Sequence, residues 1–175
     1  MNKALFLDRD GVINFDYGYV HKIDQFDFIP GIFELGRKAL SCNYKIIVIT
    51  NQAGIARGLY SEEDFLGLSE WMRGVFLQEG IEITKVYFSP YHSTAGIGKY
   101  RADDYSRKPR PGMILDAKNE FDINLHKSIL IGDKQTDIDA GVTAGVGTNL
   151  LYIPKYNGEE KSKVGKLIDI LNYLN

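Results

Sequence analysis

The sequence predicts a three-layer α/β fold, a parallel sheet with helices on both faces, and three observations carry that expectation. Short aliphatic runs alternate along the chain with stretches of helical apolar spacing. The runs are apolar at consecutive positions rather than alternate ones, as strands covered on both faces require. The 175 residues are 44% hydrophobic and 25% charged, with 5 Pro and 18 Gly, a composition and length that can bury a core without disulfides or a structural metal.

The elements follow in order. Ala4 to Leu7 is an apolar run stopped by Asp8-Arg9-Asp10-Gly11, a strand with Asp8 at its carboxyl end. After Pro30-Gly31, the spacing of Ile32, Leu35, Ala39 and Leu40, with Arg37 and Lys38 outward, predicts a helix. Lys45 to Ile49 is a second strand, tipped by Thr50-Asn51-Gln52. Ser61 with Glu62, Glu63 and Asp64 is a capping sequence, and Phe65, Leu68, Met72, Val75 and Phe76 continue it as helix. Val86 to Phe88 reads as a third strand, and Pro111-Gly112 opens a helix through Met113, Ile114 and Ala117 towards Phe121. Ser128 to Ile131 is a strand ending in Gly132-Asp133-Lys134. Thr136 to Ala144 then reads as helix and Asn149 to Tyr152 as strand. The stretch Val164, Leu167, Ile168, Leu171 predicts a closing amphipathic helix.

No repeat, low-complexity tract or linker divides the chain, so residues 1–175 are expected to form a single domain. Two connections, Asn14 to Pro30 and Ser89 to Arg110, are long for a compact fold, and such loops commonly bind ligands. Lys plus Arg number 21 against 23 Asp plus Glu, a net charge of -2, which lacks the basic excess that gripping nucleic acid needs. The lone Cys42 cannot form an internal disulfide, and no apolar run approaches the ~20 residues of a membrane span. No targeting segment is read at the start. The expectation is a cytoplasmic protein without nucleic-acid or membrane partners, a monomer by default in the absence of coiled-coil heptads.

In a parallel α/β sheet the ligand site lies outside the carboxyl ends of the strands, so the polar tips converge. A kink after the first strand points Asp8 and Asp10 at one site, with Arg9 facing away. Alone, this pair is also what a solvated acidic turn looks like. Asp133 adds a third carboxylate at the same edge, and converging oxygens suit a hard divalent ion such as Mg2+, which also takes substrate phosphate. Without a cation such carboxylates would resist ionising together. Thr50 supplies a hydroxyl, Asn51 and Gln52 supply amides, and Lys108 and Lys134 supply ammonium groups that can neutralise a transferring phosphoryl group. Asp137, one turn beyond Asp133, either supports the ion or caps a helix; the supporting role is the expectation.

The segments FLDRDGVIN, VITNQ, RKPRPGM and IGDKQTDIDA, in that order, resemble the four motifs of the haloacid dehalogenase (HAD) superfamily of phosphohydrolases. DRDGVIN with DYGYVHKIDQFDFIPG, TNQAGIARG and SRKPRPGM further resembles its branch of sugar-bisphosphate and histidinol-phosphate phosphatases. The resemblance implies a Rossmann-like fold with no large cap domain and a small sugar phosphate as substrate. It implies Asp8 as the nucleophile that becomes an aspartyl-phosphate and Asp10 as acid and base. Mg2+ would be held by the Asp8 side chain, the Asp10 main-chain carbonyl and Asp133. Thr50 and Lys108 would hold the phosphoryl group. Arg107 would recognise substrate, with Asp16 to Tyr19, Asn51, Gln52 and Lys134 also lining its site. Tyr19, Arg107 and Arg110 are the candidates for selecting substrate, since an arginine can grip a distal phosphate with two bonds.

Many members of that branch carry a zinc loop, Cys-x-His followed by Cys-x-Cys. The matching positions here are Ser89, Tyr91, Asp104 and Ser106, none a thiol or imidazole, so no zinc is expected. The loop is expected to be held by packing of Tyr91, Tyr100 and Tyr105, with His92 a surface residue. Two other readings compete with a sugar-bisphosphate phosphatase. One is a histidinol-phosphate phosphatase. The other is a phospho-accepting receiver-like or non-catalytic Mg2+-binding module, which needs a phosphorylatable aspartate but no second acid two residues on.

Overall fold

The computed structural model describes residues 1–175 and contains six strands: β1 Lys3–Leu7, β2 Tyr44–Asn51, β3 Ile83–Ser89, β4 Ile129–Gly132, β5 Thr148–Tyr152 and β6 Lys163–Val164. They form one sheet in the order β3-β2-β1-β4-β5-β6, every adjacent pair parallel. Successive side chains of a strand point to opposite faces, which explains the unbroken apolar runs. Leu5 and Leu7 join Ile46, Val48, Ile129 and Ile131 in one buried cluster, whereas Ala4 and Phe6 join Ile47, Ile49 and Leu130 in another. Phe6 has no exposed surface, and burying a side chain of that size contributes roughly 1.5–3 kcal/mol.

The first cluster is closed by helix α1 (Ile32–Ser41) through Ile32, Leu35 and Ala39, and by α3 (Glu62–Gln78) through Leu68, Met72 and Phe76. The second is closed by α4 (Gly112–Phe121) through Met113, Ile114 and Ala117, and by α5 (Gln135–Ala144) through Ala140. Helices therefore cover both faces, as expected. A four-residue helix, α2 (Ala53–Ala56), follows β2 and carries no periodicity that a sequence reading could detect. The two long connections hold only single 3-10 turns, Ile23–Gln25 and Gly98–Tyr100. No helix is long and apolar enough to cross a membrane.

One element departs from expectation. The predicted closing helix from Val164 to Leu171 is instead the edge strand β6 followed by a 3-10 helix, Leu167–Tyr173. Its buried residues Leu167 and Ile170 recur at three, the period of a 3-10 turn, while Ile168 is 46% exposed. Gly165 and the preceding loop pack tightly, since a Cβ at Gly165 would lie 2.1 Å from the Tyr156 carbonyl oxygen.

Sheet order fixes the place of the site. The chain winds from β1 to β2 to β3 in one direction and resumes at β4 on the other side of β1, so the order reverses between β1 and β4. Ligands bind at such a switch point, beyond the carboxyl ends of the strands.

Candidate active site

Leu7 pairs with Val48 of β2 and Ile131 of β4, so Asp8, Thr50 and Asp133 emerge at neighbouring strand tips. The Asp8 amide still donates to the Ile131 carbonyl at 3.0 Å, but the chain then turns, and the amides of Val12, Ile13 and Asn14 fold back onto the Arg9 carbonyl. Gly11 makes that turn at φ 92°, and a Cβ there would stand 2.2 Å from Asp133 Oδ2. Backbone conformation and space both require glycine.

A cavity of about 440 Å³ opens at these tips. Asp8, Asp10, Thr50 and Lys108 line it, and so do Asp16, Tyr19, Asn51, Gln52, Arg107 and Lys134. Asp133 lies just behind, in an adjoining recess of about 280 Å³ with Gly11, Phe15 and Asp16. Arg110, the remaining candidate for selecting substrate, is not part of the cavity; it is exposed and pairs with Asp103.

Lys108 is the buried centre of the site. Its ammonium lies 2.9 Å from Asp8 Oδ1, 2.6 Å from Asp137 Oδ1 and donates to the Ile49 carbonyl at 2.8 Å, using all three of its N–H groups. Asn51 clamps its backbone, donating to the Lys108 carbonyl and accepting from its amide, each at 3.0 Å. Burial works against the charge of Lys108, but Asp8 and Asp137 outweigh it and raise its pKa. Asp137 also accepts from the Lys134 amide at 3.0 Å, so it caps α5 and belongs to the charge cluster. The capping role read from the sequence is therefore filled, and the same side chain pairs with Lys108.

Asp8, Asp133 and Asp137 each offer an oxygen within 4.8 Å of the others. Burial raises the pKa of Asp8, Lys108 opposes it, and the neighbouring Asp137 and Asp133 add to the rise. Asp133 is raised in the same way, by burial first. With all three carboxyls ionised, the one ammonium would leave two negative charges, a state that burial resists unless a cation is present, and Asp133 Oδ1 is buried with no hydrogen-bond partner. An unsatisfied buried oxygen in a doubly negative cluster fits a hard divalent cation.

Asp10 is held apart from this cluster. Arg9 Nη2 donates to its Oδ1 and Oδ2 at 2.9 and 3.0 Å, Asn14 donates to Oδ1 at 3.0 Å, and Gln52 donates to Oδ2 at 3.1 Å. Arg9 does not line the cavity, but its guanidinium turns back to Asp10 instead of leaving it. Its side chain is 1% exposed, donates to the Val20 carbonyl at 2.6 Å, and lies near the Phe26 and Phe65 rings, 5.9 and 5.6 Å from their centroids. The strand has ended at Leu7, so its alternation no longer governs Arg9.

At the mouth, Lys134 reaches Asp16 at 3.3 Å, and Tyr19 takes a left-handed backbone at φ 54°. Arg107 donates to the Tyr91 carbonyl at 3.1 Å and pairs with no carboxylate. Burial lowers its pKa, and the nearby guanidinium of Arg57 lowers it further. Arg9 and Arg57 fall within motif segments that imply no role for either, and Tyr60 lies outside every motif. In the loop before Arg107, the Tyr91 and Tyr100 rings lie 6.2 Å apart, but Tyr105 turns away to α4, donating to the Gly112 carbonyl at 3.1 Å. Asp104 caps Ser106, accepting from its amide at 2.8 Å.

A buried aspartate at the tip of β1 bonded to a lysine from a distant loop, a second aspartate two residues on, and an acidic pair after β4 define a phosphohydrolase site on a Rossmann-like sheet. The chain belongs to the HAD superfamily and is a phosphoric monoester hydrolase: a HAD-hydrolase-like family model matches residues 105–165. It is 59% identical over 150 residues to the D-glycero-alpha-D-manno-heptose-1,7-bisphosphate 7-phosphatase of Burkholderia mallei, covering 86% of this chain and 79% of that one. A relative of the same name from Campylobacter jejuni is 45% identical over 172 residues, 98% of this chain and 95% of the other. The fold matches the D,D-heptose 1,7-bisphosphate phosphatase of B. bronchiseptica, solved with magnesium and phosphate, at a TM-score of 0.82 and 23% identity, covering 98% and 97% of the two chains.

Proposed function

We propose that the protein is a Mg2+-dependent phosphatase that removes the C7 phosphate of D-glycero-D-manno-heptose 1,7-bisphosphate, leaving heptose 1-phosphate. The observation that carries the reading is the arrangement of Asp8 and Asp10. They share one cavity, Asp8 held by Lys108 and Asp10 by Arg9, Asn14 and Gln52, in a chain 59% identical to a phosphatase of that name. Residues 1–175 act as one catalytic domain, a cytoplasmic monomer that engages neither nucleic acid nor membrane.

Asp8 attacks phosphorus, and the bond to the sugar O7 breaks as Asp10 delivers its proton to that oxygen. Water then attacks the phosphorus of the aspartyl-phosphate, Asp10 takes up the water's proton, and inorganic phosphate leaves with Asp8 restored. An anionic nucleophile approaches an anionic phosphate only when charge is cancelled first, the task of Lys108 and of the Thr50 hydroxyl. Asp8, Asp133 and the Asp10 carbonyl would hold Mg2+, which when bound supplies the positive charge that the carboxylate cluster lacks. Lys108 orients Asp8, while Asn51 keeps Lys108 in place. Without a cap domain, the loops bearing Asp16, Tyr19 and Arg107 surround the sugar, and Arg107, free of any acidic partner, takes the C1 phosphate. Of the two anomers, the alpha form is proposed, following the designation of the B. mallei relative.

The test is phosphate release from both anomers of the bisphosphate and from histidinol phosphate, with 31P NMR to locate the phosphate that remains. Heptose 1-phosphate is the expected product. Faster turnover of histidinol phosphate, or release of the C1 phosphate, would overturn the substrate assignment.

A further inference from the structure

Tyr60 lies outside every motif, yet its side chain reaches the reacting groups through one intermediary. Its hydroxyl donates to Gln52 Oε1 at 2.5 Å. The Gln52 amide nitrogen donates in turn to Asp10 Oδ2 at 3.1 Å and to Thr50 Oγ1 at 2.8 Å. Gln52 is 2% exposed, and all its polar atoms are taken up within the chain.

The direction of this chain of bonds is fixed by chemistry. In its carboxylate form Asp10 accepts only, so Gln52 then turns its NH2 towards Asp10 and its carbonyl oxygen towards Tyr60, which donates. Burial raises the Tyr60 pKa to about 12, which keeps the phenol a donor at neutral pH. Thr50 Oγ1 accepts from Gln52, so its own hydroxyl hydrogen makes no bond within the protein and stays available to a phosphoryl oxygen.

The fold makes room for this phenol deliberately. Tyr60 follows α2, and a Cβ on Gly54 of that helix would lie 2.1 Å from the ring's Cε1 and 2.7 Å from its oxygen. The ring also stacks on His21 at 4.9 Å and 6° and packs in a cluster with Ile55 and Phe65.

We infer that Tyr60 is a positioning residue, which by anchoring the Gln52 amide aims Asp10 at the leaving group and leaves the Thr50 hydroxyl free to donate to the phosphoryl group. The inference rests on the phosphatase reading but not on the identity of the sugar. Because Tyr60 acts on groups that matter in the reaction more than in binding, its loss should lower kcat and spare KM.

Tyr60→Phe keeps the ring and removes only the donor. With heptose 1,7-bisphosphate and p-nitrophenyl phosphate as substrates, kcat is expected to fall roughly tenfold, the equivalent of one hydrogen bond, with KM within about twofold. Tyr60→Phe added to Gln52→Ala should cost nothing further, since the intermediary is already gone. Gly54→Ala, whose Cβ would crowd both the ring and its hydroxyl, displaces the intact phenol from Gln52 and should reproduce the kcat loss. A rise in KM at constant kcat, or losses that add in the Tyr60→Phe and Gln52→Ala double variant, would overturn the inference. If the wild type leaves the sugar bisphosphate intact, the substrate assignment fails while the comparison still stands on the aryl phosphate.

Discussion

Lys108 Nζ lies 2.9 Å from Asp8 Oδ1, although 99 residues separate the two in sequence and neither is more than 10% exposed. The bond joins the loop before α4 to the tip of β1 and offsets part of the cost of burying Asp8 as an anion. Lys108→Met removes the charge and leaves Asp8 and Asp137 facing each other unpaired. Turnover should fall by about 10²–10³, the usual loss for one electrostatic stabiliser of a transition state. Stability at pH 7 should drop by about 3 kcal/mol in urea unfolding, as when one partner of a buried pair is removed. Unchanged turnover would remove Lys108 from the machinery.

Asp10→Asn keeps the shape of the side chain but cannot carry a proton between sugar oxygen and water. Steady phosphate release should fall by about 10²–10⁴ while Asp8 stays intact. The same substitution separates a phosphatase from a phospho-accepting module, which has no use for an acid at this position. Wild-type rates in this variant, measured as inorganic phosphate, would refute the acid and base assignment.

Gly11→Ala tests the cation site without altering any proposed ligand. The new Cβ would press on Asp133 Oδ2, and φ 92° strains any residue other than glycine. The Mg2+ concentration that half-saturates activity should rise by at least about tenfold, the scale seen when the supports of metal ligands are disturbed. A titration of activity against Mg2+ that overlays the wild type would count against Asp133 as a ligand.

The layers, and the sheet edge that Asp8, Asp10 and Asp133 share, are legible because they rest on local signals. Consecutive apolar residues mark a strand covered on both faces, and parallel order then carries Asp8, Thr50 and Asp133 to one edge. What escaped depends on contacts distant in sequence or on chain geometry after an element ends. The kink that aims Asp8 and Asp10 at one site leads to the expectation that Arg9 faces away, but its guanidinium turns back to Asp10 near Phe26 and Phe65, residues that the sequence does not place beside it. By pattern Asp137 also fits an ordinary helix cap, and only the approach of Lys108 from another loop makes it part of the charge cluster. The closing 3-10 helix is not legible in the sequence because apolar residues spaced by three and four fit an α-helix equally well, and the choice is made by packing of Leu167 and Ile170.

Ser61→Ala addresses stability rather than chemistry. Ser61 caps α3, its hydroxyl accepting from the Asp64 amide at 3.0 Å, while its own amide donates to Asp64 Oδ2 at 2.8 Å. The backbone bond from Ser61, followed by the bond from its hydroxyl, holds the Asp64 carboxyl below its ordinary 3.8. A depressed carboxyl contributes stability that is present above the unfolded pKa and is lost as pH falls through the folded one. Losing the serine cap should cost about 1 kcal/mol at pH 7. The gap between variant and wild type should narrow once the pH falls below 3.8, as the Asp64 charge disappears in both. Urea midpoints at pH 7 and pH 3 give the answer, and a gap of the same size at both would exclude the carboxylate from the cap.

Arg107 and Arg57 supply the last expectation. Arg107 lines the cavity with its charge unpaired, and the nearby Arg57 repels it, an arrangement that a second phosphate on the substrate would relieve. Arginine suits that role because its planar fork binds phosphate with two parallel bonds. Arg107→Ala should therefore raise KM for heptose 1,7-bisphosphate by about 10–100-fold, since charged hydrogen bonds contribute about 1.5–3 kcal/mol. With heptose 7-phosphate, which lacks the C1 phosphate, the wild type should already show the higher KM, and the substitution should change it little. Arg57→Ala should act in the same direction but less strongly, because Arg57 is exposed and solvent screens its charge. Equal losses on both substrates would mean that Arg107 serves the reacting phosphate or the loop itself, and that the distal phosphate is held elsewhere.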